Sequence, residues 1–365
     1  MDTVATVTLS ALWISGAPGA GKTTTGWRVF ELLTAAGANA GYVDIDQLGL
    51  LGPFDRLAGA APHVVKAENA RRLIDTLGAH GLRQMVISGV VDPDLGEPRL
   101  GPGATTIDLT HVQLRCDWPE LRRRFLDRGS GPDALADLEE LARQLDRGPA
   151  DTVDTTSRDV DEVARELVAR HTSTRPGRWS HARSVSAAPL PTTVIHGATA
   201  VGKSTVGWEL VRRRWAAGRA TAYIDVEQLG FHAPGYDRGV HAAAYAAVTR
   251  GYEHAGADDL IVVTRDADLV AEAHGGESPN RVLLDASDDA LSARIALRSV
   301  ESTGRLPGDT LLGATPERQR AIADHARREA ARLRRSRAHD AEIDTTSTTA
   351  SEVVDRIERK LRTPD

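Results

Sequence analysis

Short, nearly continuous apolar runs alternate with longer segments of helical periodicity along the chain. Such runs are typical of parallel strands that are buried on both faces between helices. In the first half, the runs that predict strands lie near Val7–Ser15, Ala40–Ile45, Met85–Ser88, His111–Cys116 and Asp151–Asp154. In the second half they lie near Thr193–His196, Thr221–Asp225, Leu260–Thr264, Arg281–Asp285 and Glu342–Asp344. The pattern predicts the α/β class, with a mainly parallel five-stranded sheet and helices on both faces in each half.

The two halves repeat each other. The segment GYVDIDQLG, residues 41–49, returns as AYIDVEQLG at residues 222–230, which is an offset of 181 residues. Both halves also end in a DTTS sequence that is followed by an amphipathic helical pattern. A shared offset across independent features indicates duplication of a whole domain. We expect domains at residues 1–172 and 190–365, joined by a linker at residues 173–189 that carries proline and serine.

Each half carries a phosphate-loop motif, G-x-x-x-x-G-K-[ST]. The first copy, with the residue after it, is Gly16, Ala17, Pro18, Gly19, Ala20, Gly21, Lys22, Thr23 and Thr24. The second is Gly197, Ala198, Thr199, Ala200, Val201, Gly202, Lys203, Ser204 and Thr205. In such a loop the backbone N–H groups and the helix that follows bind phosphates, the lysine reaches the terminal phosphates, and the hydroxyl binds Mg²⁺. The motifs predict two tandem P-loop NTPase domains with ATP and Mg²⁺ as cofactors.

The lysine usage supports this interpretation. Only four of the 45 Lys and Arg side chains are lysines, and two of these four lie in the phosphate loops. The planar guanidinium of arginine does not replace the compact ammonium that a phosphate loop surrounds.

Two acidic residues end the second predicted strand of each half, Asp44 and Asp46 in the first and Asp225 and Glu227 in the second. Residues i and i+2 of an extended chain lie on the same side, so each pair faces one site. We expect Asp44 and Asp225 to serve Mg²⁺ in its outer sphere. Asp46 and Glu227 are expected to contact an acceptor hydroxyl, with Asp46 as a base. The alternative is a solvated strand end with a helix cap.

On these motifs each half resembles the small P-loop kinases of the shikimate, gluconate and adenylylsulfate kinase group. The resemblance implies a lid helix with paired arginines, which fall on Arg124 and Arg128 in the first half and on Arg294 and Arg298 in the second. The alternative for these arginines is an exposed cationic helix face. The resemblance also implies that the loop after the last strand of each half cradles adenine. Asp154 and Asp344 are therefore expected to bind the nucleotide.

The halves differ on the expected acceptor side. The first has Ser88-Gly89 after its third strand, whereas the second has Thr264-Arg265 there and carries Glu227 in place of Asp46. The second half also has an arginine-rich segment between Arg318 and Arg337, which predicts a helical lid face or, as the alternative, a polyanion site. We expect the first half to perform the main phosphoryl transfer. The sequence does not identify the acceptor.

Composition and charge argue against some classes of partner. The net charge of −6 argues against recruitment by nucleic acid or an acidic membrane, and no apolar run is long enough to span a bilayer. Cys116 is the only cysteine, and residues 1–13 have a strand pattern rather than that of a signal peptide, so we expect a cytoplasmic protein. The expected partners are ATP and a small-molecule hydroxyl acceptor, with homo-oligomerisation open. The alternative function is a nucleotide-binding regulator of a protein partner.

Overall fold

The computed structural model describes residues 8–57, 61–91, 97–148, 150–171, 186–233, 235–275, 279–300, 306–336 and 338–362. The chain divides into two compact units, and each unit is assembled from three segments. Unit 1 consists of Met1–Gly49, Ala61–Ser184 and Gln228–Val248. Unit 2 consists of Leu50–Ala60, Val185–Glu227 and Thr249–Asp365.

The described residues form twelve strands and eleven α-helices. The strands are β1 (Thr8–Gly16), β2 (Ala40–Asp44), β3 (Leu51–Gly52), β4 (Gln84–Ser88), β5 (Thr106–Arg115), β6 (Asp151–Asp154), β7 (Thr192–Gly197), β8 (Thr221–Asp225), β9 (Phe231–His232), β10 (Asp259–Thr264), β11 (Asn280–Asp285) and β12 (Ala341–Asp344). The helices are α1 (Lys22–Ala35), α2 (Pro62–Ala79), α3 (Trp118–Asp127), α4 (Leu135–Leu145), α5 (Val160–His171), α6 (Lys203–Ala216), α7 (Arg238–His254), α8 (Ala267–His274), α9 (Asp288–Val300), α10 (Pro316–Ser336) and α11 (Ala350–Arg362). None of these helices combines the length and the apolar composition that crossing a bilayer requires.

The sheet of unit 1 has the strand order β6-β5-β1-β4-β2-β9. Its first five strands are parallel, and the register places Leu12 of β1 beside Val86 of β4 and Thr110 of β5. Leu12 and Val86 are buried, because β1 and β4 lie in the interior of the sheet. The carboxyl ends of β1, β2 and β4 therefore share one edge of the sheet, which is where ligands bind in open α/β folds.

The sheet of unit 2 has the matching order β12-β11-β7-β10-β8-β3, and its first five strands are also parallel. One core cluster lies on a single face of this sheet and contains Ile195, Val263 and Leu284 from the strands, Leu210 from α6 and Ala326 from α10. The apolar face of α10 thus belongs to the core, and the arginine-rich segment is helical over residues 316–336. Arg337 lies outside the described residues.

The sixth strand of each sheet is antiparallel. In unit 1, β9 pairs with β2 through Tyr42↔Phe231, and the Phe231 ring meets the Trp27 ring edge-on at 4.8 Å between centroids. In unit 2, β3 pairs with β8 through Leu51↔Ala222. Each short strand comes from the other half of the sequence and covers an edge that would otherwise expose unpaired backbone groups.

The predicted five parallel strands of each half are confirmed, with ends that differ by one or two residues at most places. The exception is β5, which begins five residues earlier than the predicted start at His111. The sixth strands were not predicted, because two residues cannot show the alternation that marks a strand. Residues 173–185 of the predicted linker lie outside the described residues, so the boundaries near 172 and 190 stay a prediction.

Candidate phosphate and acceptor sites

The first phosphate loop joins β1 to α1 and surrounds the Lys22 side chain. Lys22 Nζ donates to the Ala17 carbonyl oxygen at 3.1 Å. Gly16 has a φ of +144°, and a Cβ there would lie 2.4 Å from the Leu114 carbonyl oxygen, so only glycine fits. Gly21, at φ +96°, precedes the first residue of α1. The loop therefore directs backbone N–H groups and the positive end of α1 toward one anion site.

The second loop has the same form between β7 and α6. Lys203 Nζ donates to the carbonyl oxygens of Gly197 at 2.9 Å and Ala198 at 3.1 Å. A Cβ on Gly197 would lie 2.4 Å from the Leu284 carbonyl oxygen, as at the corresponding glycine of the first loop. All the loop residues predicted to bind the nucleotide lie in these two strand-to-helix connections.

One contact distinguishes the two loops. The Thr199 N–H donates to Glu329 Oε2 at 3.0 Å, and the Thr199 hydroxyl lies 3.4 Å from the same oxygen. In the first loop this position is Pro18, which has no N–H to donate. Among the described residues, no carboxylate accepts a hydrogen bond from the backbone of the first loop. The second phosphate loop thus already holds an anionic group, the carboxylate of Glu329 on α10.

The predicted metal residues of unit 1 lie together. Thr23 Oγ1 donates to Asp44 Oδ2 at 2.8 Å, and the Asp46 N–H donates to Asp44 Oδ1 at 3.0 Å. Burial, followed by the charge of Asp46, raises the pKa of Asp44. A buried carboxylate beside a hydroxyl and a second carboxylate offers the oxygen donors and the local negative charge that suit Mg²⁺. These residues therefore fit a magnesium ion.

Unit 2 repeats this arrangement. Ser204 Oγ donates to Asp225 Oδ2 at 3.1 Å, and the Glu227 N–H donates to Asp225 Oδ1 at 3.2 Å. Burial, followed by the charge of Glu227, raises the pKa of Asp225 to about 7. The oxygen donors again fit Mg²⁺ on chemical grounds. Each proposed metal pair thus joins the first turn of the helix after the loop to the end of the strand that follows this helix in the chain.

The charges that act on Lys22 identify what faces the first loop. Burial lowers the pKa of Lys22 to about 8, and the carboxylates of Asp46 and Asp44 oppose this change. The cations Arg128 and Lys66 lower the pKa further. The first site thus combines two carboxylates with two cations besides its own lysine.

The surroundings of Lys203 are different. Burial lowers the pKa of Lys203, while Glu227, Glu329 and, more weakly, Asp225 raise it. The cation Arg265 lowers this pKa further. A third carboxylate, that of Glu329 on α10, thus acts on the lysine of the second site.

On the acceptor side of unit 1, Lys66 of α2 connects Asp46 to a cavity. Lys66 Nζ lies 2.5 Å from Asp46 Oδ1. The same lysine lines a cavity of about 520 Å³, within the range of small-molecule sites. The cavity is also lined by Trp13, Ile45, Pro62, His63, Val64, Ala67, Glu68, Val90, Val91, Glu97, Pro98, Arg99 and Gly101. Asp46 is therefore joined through Lys66 to a space of ligand size.

One polar atom at this cavity is unsatisfied. Trp13 is buried and lines the cavity, and its Nε1–H has no hydrogen-bond partner among the described residues. A buried donor without a partner is costly, so a ligand atom that accepts its hydrogen bond would be favoured there. Val194 takes this position in unit 2, which offers no such donor.

In unit 2 the acidic residue predicted to meet the acceptor has protein partners instead. Glu227 Oε1 accepts from the Thr264 hydroxyl at 3.1 Å and from the Arg265 N–H at 2.8 Å. Glutamate is one methylene longer than the aspartate of unit 1, and its carboxylate binds the loop after β10. Asp46 and Glu227 thus follow equivalent strands but contact different groups.

The predicted lid arginines of unit 1 have two different positions. Arg124 of α3 donates to the Thr155 hydroxyl at 3.2 Å and to the Thr155 carbonyl oxygen at 3.0 Å. Arg128 follows the last residue of α3, stacks over Phe125 at 4.9 Å, and is the arginine whose charge acts on Lys22. Arg124 therefore anchors the loop after β6, while Arg128 faces the phosphate site.

The unit 2 arginines are both held by protein groups. Arg294 donates to the Val201 carbonyl oxygen of the phosphate loop at 3.1 Å and to the Thr345 hydroxyl at 3.1 Å. Arg298 donates to Asp309 Oδ2 at 2.8 Å. Arg294 thus anchors the loop after β12, as Arg124 anchors the loop after β6. Arg298 pairs with Asp309 instead.

The aspartates predicted for the nucleotide loops form local turns. Asp154 Oδ1 accepts from the Thr156 N–H at 2.8 Å, and Asp344 Oδ1 accepts from the Thr346 N–H at 2.8 Å. Hydrogen bonds from these threonines lower the pKa of each aspartate. Both carboxylates therefore fix the conformation of the turn that follows the last strand. Their contact with a nucleotide stays a prediction.

Sequence reasoning missed two residues of these sites. Lys66 is one of only four lysines, and that scarcity was a usable signal. Glu329 lies within the arginine-rich segment and belongs to no motif, so nothing in the sequence singled it out.

No protein-family model matches this chain, and no curated protein matches it. Solved structures do show similarity, with each match covering slightly less than half of the chain. The tunicamycin resistance protein of Deinococcus radiodurans covers 44% of this chain and 95% of its own, at 16% identity and a TM-score of 0.35. A gluconokinase from Sinorhizobium meliloti covers 47% and 92%, at 20% identity and a TM-score of 0.31. A shikimate kinase from Bacteroides thetaiotaomicron covers 47% and 98%, at 14% identity and a TM-score of 0.30. Each of these structures is about as long as one half of this chain.

Proposed function

We propose that this protein is an ATP-dependent kinase that transfers the γ-phosphoryl group to a hydroxyl of a small molecule, with unit 1 as its main catalytic unit. One chain of contacts carries the proposal. The charge of Asp46 acts on Lys22 of the phosphate loop, Asp46 pairs with Lys66, and Lys66 lines the cavity of about 520 Å³. The carboxylate of Asp46 thus connects the phosphate site, through Lys66, to a ligand-sized cavity.

The nucleotide side needs no covalent chemistry from the protein. The backbone N–H groups of the first loop would bind the phosphates, with Lys22 at the terminal phosphate and Arg128 facing the same site. Thr23 and Asp44 would hold Mg²⁺, which when bound supplies positive charge to the phosphate oxygens. Arg124 would act indirectly, by fixing the loop after β6.

The transfer itself requires one proton movement. The acceptor hydroxyl oxygen attacks the γ-phosphorus and forms the new oxygen–phosphorus bond, while the bond to the β–γ bridging oxygen breaks and ADP leaves. The carboxylate of Asp46 would orient the hydroxyl and accept its proton. Lys66 would hold this carboxylate toward the cavity.

The cavity walls indicate the class of acceptor. Its lining is mostly apolar and includes Val64, Val90 and Val91, while Glu97 and Arg99 pair with each other at 3.6 Å. The unsatisfied N–H of Trp13 adds one donor. These features favour an acceptor with an apolar body, one hydrogen-bond acceptor and a hydroxyl, over a fully polar sugar acid.

The test is acceptor-dependent ADP release by the purified full-length protein with Mg²⁺. We would compare cyclic and aromatic alcohols with polyols such as gluconate, shikimate and simple sugars. We expect turnover with members of the first group. Asp46→Asn should lower this turnover by about 10²-fold while nucleotide affinity changes little. Glu227→Gln is the matched control in unit 2 and should change turnover far less.

Two results would separate the parts of the proposal. Turnover of polyols alone would keep the kinase and reject the apolar acceptor. Nucleotide binding without acceptor-dependent turnover would favour the second candidate, a nucleotide-binding regulator. The observation that favours this candidate for unit 2 is that Glu227 and Thr199 already have protein partners.

A further inference from the structure

We propose that Glu329 is a built-in anion of the second phosphate loop, and that unit 2 is therefore a nucleotide-sensing site. A nucleoside triphosphate would bind there only by displacing this carboxylate, which releases the contact between the loop and α10. The inference requires only that the second loop binds phosphate, and it stands apart from the catalytic role of unit 1.

The contact is made where a phosphate loop receives its ligand. Glu329 Oε2 accepts from the Thr199 N–H at 3.0 Å and lies 3.4 Å from the Thr199 hydroxyl. Backbone N–H groups at the start of a helix bind anions, and a carboxylate is the anion that a protein can supply itself. Glu329 also acts on Lys203, whose pKa its charge raises. The carboxylate therefore shares the site with the lysine that would meet the phosphates.

The charge balance makes this carboxylate a competitor of the nucleotide. Three carboxylates, those of Glu227, Glu329 and Asp225, act on Lys203, and the cation Arg265 acts on it as well. A triphosphate that entered with Glu329 in place would meet a like charge in a partly desolvated site. Moving Glu329 away removes that repulsion and frees the Thr199 N–H for the ligand.

The contact also joins the loop to a core helix. Glu329 lies between Ala326 and Ala330, both of which are buried in the core of unit 2. Arg334, on the same helix, binds Asp285 Oδ2 of β11 at 2.7 Å. A ligand that displaces Glu329 would thus break the contact between the phosphate loop and the middle of α10. The apolar face of α10 would stay packed in the core. This is how occupancy of the loop would be reported to the rest of unit 2.

The experiment measures binding rather than turnover. Calorimetric titration of the full-length protein with Mg²⁺ and a non-hydrolysable ATP analogue should show two sites of unequal affinity. The weaker site should be lost in Lys203→Ala and the tighter one in Lys22→Ala. Glu329→Gln keeps the shape but removes the charge, and should raise the affinity of the weaker site by about tenfold or more, since hydrogen bonds to charged groups are the strong ones. The tighter site should not change.

Glu317→Gln is the matched control, because it removes the same charge from the same helix. Glu317 pairs with Arg320 and does not contact the loop. This variant should leave both affinities unchanged. Hydrogen exchange gives a second readout: the analogue should increase exchange in residues 316–336 of the wild type, and should do so less in Glu329→Gln, where the contact is already weakened.

Several outcomes would overturn the proposal. Equal affinities at the two sites of the wild type would show that the carboxylate does not compete. An unchanged or weakened second site in Glu329→Gln would mean that Glu329 supports the loop or the ligand. Absence of a second site in both proteins would show that this loop does not bind the nucleotide.

Discussion

The two phosphate loops are alike where they would hold the nucleotide and different where they would pass on its phosphoryl group. In both units the lysine of the loop donates to loop carbonyl oxygens. The hydroxyl that follows the lysine donates to the aspartate at the end of β2 or β8. Beyond this point, Asp46 pairs with Lys66, which lines a cavity, whereas Glu227 binds the loop after β10. Among the described residues, no carboxylate accepts a hydrogen bond from the backbone of the first loop, whereas the second loop binds Glu329.

This difference shows what the motif determines and what it leaves to its surroundings. Glycines and a lysine at fixed spacing form the same strand-loop-helix geometry twice in one chain. Transfer also needs an acceptor space and a balance of charge around the phosphate. We assign the acceptor space and the balance of charge to residues on α2 and α10 and at the end of α3. The motif does not determine these residues.

The largest expected effect compares the two lysines. Lys22→Ala should lower acceptor-dependent turnover by about 10²–10³-fold, because it removes a preorganised charge at the transferred phosphoryl group. Lys203→Ala should change the same rate by less than about tenfold, because Glu329 already binds its loop and Glu227 binds the loop after β10. Steady-state measurement of ADP release at saturating nucleotide checks both values.

Lys360→Ala is the control, since this exposed lysine lies on α11 and outside both loops. It should leave the rate unchanged. Equal losses from Lys22→Ala and Lys203→Ala would contradict the asymmetric arrangement and would favour two coupled catalytic sites.

The next effect concerns stability and the segments exchanged between the halves. Phe231 comes from the second half of the sequence, yet its ring packs on Trp27 of unit 1 at 4.8 Å between centroids. Phe231 is half-buried, so Phe231→Ala should destabilise unit 1 by about 2 kcal/mol, below the range of fully buried phenylalanines. Urea unfolding followed by tryptophan fluorescence should show the loss in the unit 1 transition.

Tyr236→Ala is the matched control, because this aromatic residue of the same segment is 65% exposed. Tyr236→Ala should lower the free energy of unfolding much less than Phe231→Ala does. If Phe231→Ala had no effect on unit 1, the exchanged strand would contribute little to that unit.

The sequence predicted the parts of the molecule that depend on local patterns. Buried parallel strands show continuous apolar runs, and the loops show fixed glycine and lysine positions, so ten strands and both phosphate loops could be identified. The exchanged strands could not, since Leu51–Gly52 and Phe231–His232 are too short to carry a pattern. Lys66 and Glu329 reach their partners from separate elements, and such pairing depends on how helices pack rather than on spacing along the chain.

A smaller loss of stability is expected at acid pH, and it should affect unit 2. His196 takes the position of Ser15 in the second sheet; it is 2% exposed, and neither ring nitrogen has a partner among the described residues. Burial, followed by the nearby His339, Arg281 and Lys203, lowers the pKa of His196 to about 4. The folded protein therefore stays neutral at His196 while the unfolded chain binds a proton below about pH 6.5. Stability is full above that pH and falls as the pH approaches 4.

Between pH 7.5 and pH 5 this group should remove about 2 kcal/mol of stability. His196→Gln keeps a polar side chain without a titrating group, so its unfolding free energy should fall by about 2 kcal/mol less than that of the wild type over the same range. His111→Gln in unit 1 is the comparison and should show a smaller change: burial also lowers the pKa of His111, but this histidine is only half-buried and bonds Ser15 at 2.8 Å. The same acid sensitivity in wild type and His196→Gln would assign the effect to other groups.

The smallest expected effect lies in the backbone of the loops themselves. Ala200 has a left-handed φ of +65°, at the position where the first loop has Gly19 at φ +97°. An alanine in this region costs about 1 kcal/mol more than a glycine, so the second loop carries strain that the first avoids. Ala200→Gly should stabilise unit 2 by less than about 1 kcal/mol, because the added freedom of the unfolded chain offsets part of the gain.

The reverse change should have the opposite sign. Gly19→Ala should destabilise unit 1 by about 1–2 kcal/mol, since the new Cβ adopts an unfavourable φ and lies 3.3 Å from Leu121 Cδ1. Urea unfolding of the two variants, each compared with the wild type, measures both values. Opposite signs would show that the second loop holds its shape against local strain, with the Glu329 contact as one source of the constraint. In that case Glu329→Gln should reduce the benefit of Ala200→Gly, because the loop can relax once this contact is weakened, whereas strictly additive effects would mean that the strain and the carboxylate act independently.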